Sequence, residues 1–135
     1  MSFKKAKNQT EMSINVTIPV SAEIISDTLC TAIEGNLPQW ITQVDWGHIG
    51  EISSNRDERY QYLENAINDE TEWEIRFKDI EGYWHTMNHE NVASGLQKMA
   101  NSYSNHFEDM INQNGDAITA DVFLQSVLLG YVMRD

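Results

Sequence analysis

The chain is poor in the residues that crosslink, break or anchor a protein. Cys30 is the one cysteine among 135 residues. An intrachain disulfide is therefore excluded, and a reducing compartment is expected. Pro19 and Pro38 are the only prolines, and hydrophobic residues make up 41% of the chain. That composition belongs to a folded domain and not to a disordered tail. No apolar run approaches the ~20 residues that a membrane-spanning helix needs. The N-terminal lysines are not followed by the apolar stretch of a secretory leader. There is no Gly-rich phosphate loop, no nucleophile elbow and no cysteine cluster.

Positive charge is scarce as well. The formal net charge is −12, with nine Lys and Arg against 21 Asp and Glu. Three of those bases, Lys4, Lys5 and Lys7, fall in the first ten residues, which hold no acid. Six bases thus face 21 acids in residues 11–135, a balance of −15. Direct binding to a phosphate backbone is excluded as an expectation, because it needs Lys and Arg to displace counterions. A protein partner with a basic surface is expected instead, drawn in by long-range attraction.

What remains is a pattern of helices and strands. Residues 88–130 read as three helices closing a core. Asn88 is placed to cap the first, and Val92, Leu96, Met99 and Tyr103 recur along one helical face. Gly95 inside that helix costs roughly 1 kcal/mol relative to Ala, so close approach of another element is expected there. A second helix carries Phe107, Met110 and Ile111, with Asn114-Gly115 as its stop. The third is expected to start at Thr119 as cap, with Asp121 facing the positive end of the dipole. Its apolar residues, Val122, Phe123, Leu124, Val127, Leu128 and Leu129, cover most of its girth, which marks a central helix.

Upstream, residues 1–12 read as a flexible basic tail and 13–135 as a single domain. Ile14, Val16, Ile18 and Val20 alternate with polar residues, a half-buried strand pattern that Pro19 confines to an edge. Ser21 is placed to cap a helix carrying Ala22, Ile25, Leu29, Ala32 and Ile33, which Gly35 stops. Residues 40–46 form a candidate strand. Residues 56–68 fit a helix by Tyr60, Leu63, Ala66 and Ile67, while Arg59 to Leu63 also fits a strand. Residues 72–78 form a strand with Trp73, Ile75 and Phe77 inward, and residues 83–86 can return as its partner. The order implies an α+β fold: a small antiparallel sheet with an N-terminal helix and three C-terminal helices packed on it.

Few residues invite chemistry. His85 and His89 stand four apart beside Glu90, which resembles a ligand pair. A zinc-protease helix needs a third histidine at position 93, which is Ala, so a metal-dependent enzyme using His85 and His89 is only an alternative reading. A calcium loop aligned on Gly115 would place Met110 at its first ligand position, which Met cannot serve. Cys30 lies next to an apolar face with no basic neighbour, so it is read as a packed hydrophobe. No catalytic residue, metal or cofactor is expected.

The densest acids are Glu64, Asp69, Glu70, Glu72, Glu74, Asp79 and Glu81, candidates for a partner-binding surface. A solvated acidic face is the plain alternative. Trp40 and Trp84 lie near turns, where an aromatic can anchor a partner, although core filling is the favoured reading for each. The sequence leaves oligomeric state open.

Three segments carry a resemblance. Ala32-Ile33-Glu34-Gly35-Asn36 with Trp40 is one. His89-Glu90-Asn91-Val92-Ala93-Ser94-Gly95-Leu96, with Met99-Ala100 and His106-Phe107, is another. Ala120-Asp121-Val122-Phe123-Leu124-Gln125 with Leu128-Leu129-Gly130 is the third. Together they resemble a family of small acidic phage and prophage proteins. Asn36 departs from that family's pattern, where a second Gly is usual, and so do the last five residues. The resemblance implies origin in a phage or mobile element and action in the cytoplasm of a bacterial host. It transfers no activity and no catalytic residue. On this reading the chain is a non-enzymatic binding protein, and in its sharpest form an inhibitor of a host nucleic-acid-handling or defence complex by charge mimicry. A virion structural or assembly protein is a further alternative.

Overall fold

Eight of the twelve residues of the helix Ala117–Leu128 are buried, so packing begins there. The computed structural model describes residues 11–35 and 37–133. The expected tail falls almost wholly outside them. In chain order the described elements are α1 (Ala22–Cys30), a π-helical turn (Thr31–Gly35), β1 (Ile41–Asp45), α2 (His48–Ile52) and α3 (Arg56–Asn68). They continue with β2 (Ile75–Asp79), β3 (Trp84–Met87), α4 (His89–Ser102), α5 (Ser104–Ile111) and α6 (Ala117–Leu128).

The helix starts follow from short polar caps that satisfy free N–H groups of the first turn. Ser21 Oγ accepts from Ile24 N at 3.2 Å. Asn55 Oδ1 accepts from Glu58 N at 3.1 Å, and Asn88 Oδ1 from Asn91 N at 2.8 Å. The Asn55 cap decides the ambiguous region. Residues 56–68 are helical throughout, with Tyr60, Leu63 and Ala66 on the buried face. The strand reading of Arg59 to Leu63 is thereby overturned. At α6 the cap is Asp116 and not Thr119, because Asp116 Oδ1 accepts from Thr119 N at 3.0 Å and adds a turn. The Thr119 hydroxyl lies 3.0 Å from His106 Nδ1. Likewise α5 stops at Ile111, and the left-handed residue after it is Gln113 (φ 58°), ahead of Gly115.

The sheet is antiparallel in the order β1-β2-β3. Ile75, Phe77 and Met87 are fully buried on its inner face. The pairings Asp45↔Arg76↔Thr86 and Gln43↔Lys78↔Trp84 lie on the outer one. Together the sheet and helices make the expected α+β fold.

Helix α6 is the hub, touching α4, α5, α1, the π-helical turn and β3. Gly95 makes the α4–α6 contact possible. A Cβ there would lie 2.5 Å from Val127 Cγ2 and 2.6 Å from Val127 Cα, so the helices meet backbone to side chain. A second clip joins the turn ahead of β1 to α6, where Trp40 Nε1 donates to Asp121 Oδ1 at 2.8 Å.

One expected strand is missing. Residues 14–20 join no sheet, and Ile14, Val16 and Ile18 are 73%, 65% and 49% exposed. Their alternation sets up an apolar face, but among the described residues no strand lies beside them to complete a ladder.

Candidate functional site

The acidic candidates separate into two places. Glu64 is half-buried on α3, and Asp69, Glu70, Glu72 and Glu74 follow as an exposed ridge. Glu70 takes a left-handed backbone (φ 56°) as the chain leaves α3. Alternation then sends Trp73 inward and Glu72 and Glu74 outward. Residues 64–74 contain five acids and no base. None of the five is ion-paired among the described residues. Glu72 and Glu74 line one side of a hollow of about 680 Å³, with Glu90, His48 and His89 also on its wall.

Asp79, the last residue of β2, and Glu81 just after it lie away from this ridge, across about 13 Å of strand at ~3.3 Å per residue. Asp79 is not a free surface charge. Its Oδ1 accepts from Glu81 N at 2.9 Å and Tyr83 N at 3.0 Å. Its Oδ2 lies 2.8 Å from His85 Nε2, with the two side chains 15% and 21% exposed. The hydrogen bond from His85, ahead of the two backbone N–H groups, holds the Asp79 carboxyl below its ordinary range. This pair fixes the β2–β3 turn, and Asp79 leaves the binding set.

The tryptophans also part. Trp40 is 4% exposed and bonded to Asp121, so it is a core residue and not a surface anchor. Trp84 is 38% exposed on the outer sheet face. Arg76 lies over its ring at 4.9 Å and Lys78 at 5.8 Å from the centroid, close enough for cation–π attraction. Arg76 also pairs with Asp45 at 3.3 Å. Trp84 therefore sits on a basic and aromatic patch, opposite in sign to the ridge. Net charge conceals this patch; the outward alternation of Arg76 and Lys78, paired with residues 84–86, is the signal that reveals it.

The histidine pair is split between elements. His85 lies on β3, bonded to Asp79, whereas His89 is the first residue of α4. Among the described residues no group of three or more His, Cys, Asp or Glu is placed to hold a metal ion. Burial first, and then the charge of Glu34, push the Cys30 thiol up from its ordinary range, which keeps it protonated. Burial likewise raises the Tyr60 phenol, whose hydroxyl donates to Glu34 Oε2 at 3.0 Å.

Comparison with known proteins returned no match to a family model, to a characterised protein or to a solved structure. Among the described residues no helix is long and apolar enough to cross a membrane.

Proposed function

We propose that the protein acts by binding, with the acidic ridge of residues 64–74 as the surface presented to a basic face on a partner protein. The supporting observation is the lack of neutralisation there: five carboxylates, no base within the run and, among the described residues, no ion pair. Exposed carboxylates in such a run raise the local potential, attract a basic partner and make association sensitive to salt. The resemblance to small phage and prophage proteins supports a partner in the bacterial host. Charge mimicry of nucleic acid, directed at a nucleic-acid-handling or defence complex, is the sharpest form of this reading. Asp79 and Trp40 have no part in it, since both are committed to internal bonds.

Affinity capture from bacterial lysate at low and high salt is the test, comparing the natural chain with the triple variant Glu70→Lys, Glu72→Lys, Glu74→Lys. Recovery of a DNA-handling or defence protein that elutes as salt rises, and is lost with the variant, is expected. Equal recovery by both chains would overturn the reading.

A further inference from the structure

The N-terminal segment and α4 face each other across a groove of about 800 Å³. On one wall stand Ile14, Val16, Ile18 and Val20; on the other stand Val92 and Leu96, with Trp73 also in the lining. No described residue of the lining is Asp, Glu, Lys or Arg, although 22% of the chain is charged. The groove is thus a neutral strip on a strongly acidic molecule.

Two groups along this strip lack hydrogen-bond partners. Residues 11–20 make no hydrogen bond among the described residues, backbone or side chain. They have strand alternation without a ladder. Trp73 is 7% exposed and its indole N–H has no acceptor among the described residues, a buried donor of the kind that folded proteins rarely leave unpaired. Both lack what an extended main chain supplies: N–H and C=O groups at strand spacing, and apolar side chains on alternate positions.

We propose that the occupant is residues 14–20 of a second copy, and that the protein forms a twofold homodimer through its N-terminal segments. The two identical segments pair antiparallel, each completing the other's ladder, and their even-numbered side chains lie along the α4 wall of the groove. Antiparallel pairing of one segment with itself is the isologous contact that a twofold axis generates. Carbonyl groups of the incoming strand are the acceptors that Trp73 lacks.

Charge favours this face over others. Two bodies carrying −15 each over residues 11–135 repel wherever their carboxylates meet, and the described residues of this lining include none. The first ten residues of the chain hold three lysines and no acid, a charge that favours association with an acidic copy.

Sedimentation velocity of the full chain over a concentration series tests the proposal, with circular dichroism as the check on folding. A dimer is expected. The double variant Val16→Asp, Ile18→Asp should raise its dissociation constant by roughly 30-fold or more, because it buries charge in an apolar strip, while the helical spectrum is unchanged. A second measurement replaces residues 14 to 18 one at a time by Cys in a Cys30→Ser background. An interchain disulfide should form best at one position near the axis and fall away on either side. A chain monomeric at every concentration with no crosslink would overturn the proposal, leaving the groove to a different ligand. A dimer indifferent to the aspartates and to the cysteine position would overturn it equally.

Discussion

Residues 14–20 and 73–79 carry the same alternation of apolar and polar side chains, and the fold treats them in opposite ways. In the second stretch Trp73, Ile75 and Phe77 are buried, and β2 lies between β1 and β3. In the first, Ile14, Val16 and Ile18 stand exposed beside a groove. Alternation defines a face; a strand also needs partners for its main chain. For β2 the hairpin return of residues 84–87 supplies one partner at a distance of a few residues, with little loss of chain entropy. Residues 14–20 have no such neighbour in sequence.

The sharpest way to break the comparison is to shorten one side chain in each stretch. Phe77→Ala should destabilise the fold by about 3–5 kcal/mol, through lost transfer energy and the cavity left behind. Val16→Ala, measured by urea unfolding at concentrations where the chain is monomeric, should stay within roughly 0.5 kcal/mol. Comparable effects would show that the N-terminal segment is packed as firmly as β2.

A smaller effect concerns the wall that the N-terminal segment faces. Gly95→Ala should cost about 1–3 kcal/mol, since its Cβ would meet the Val127 backbone and force α4 from α6. Gly35→Ala meets nothing within 4 Å at a residue without positive φ, and should be neutral or stabilising by less than about 1 kcal/mol. Equal melting temperatures for the two variants would contradict the close packing.

The smallest effect tests what pins the end of β2. The folded-state pKa of Asp79 is depressed by His85 and two backbone N–H groups. Its contribution is therefore full above the ordinary Asp value of about 3.9 and is lost as pH falls through the lower folded value. Asp79→Asn should flatten the acid side of the stability profile below about pH 4, read from urea midpoints between pH 2 and pH 7. An unchanged acid limb would remove Asp79 from the hairpin's stability.

Where a signal was local, the sequence carried it. The inward set Trp73, Ile75 and Phe77, the α4 face with Asn88 as its cap, and the apolar girth of α6 all read from spacing alone. Close packing at Gly95 followed from a costly residue in a helix interior. Longer-range facts were not legible. Whether Trp40 lies near a turn or inside the core depends on Asp121, 81 residues away. Two caps compete at α6, and Thr119 is engaged by His106 while Asp116 takes the helix start. Of the candidate site, the ridge at 64–74 was visible as a run of charge. The split of Asp79 from that ridge, and the basic patch around Trp84, required the register of the sheet.

The position of α6 at the hub has a consequence for how the protein is made. Every other described element leaves the ribosome before α6, and the apolar faces of α4, α5 and the π-helical turn wait for it. Synthesis at about 5–20 residues per second leaves those faces open for seconds, and the Trp40–Asp121 bond cannot close until α6 has emerged. Until α6 emerges those faces stay open, and a premature stop anywhere before residue 117 leaves them without the helix they pack against.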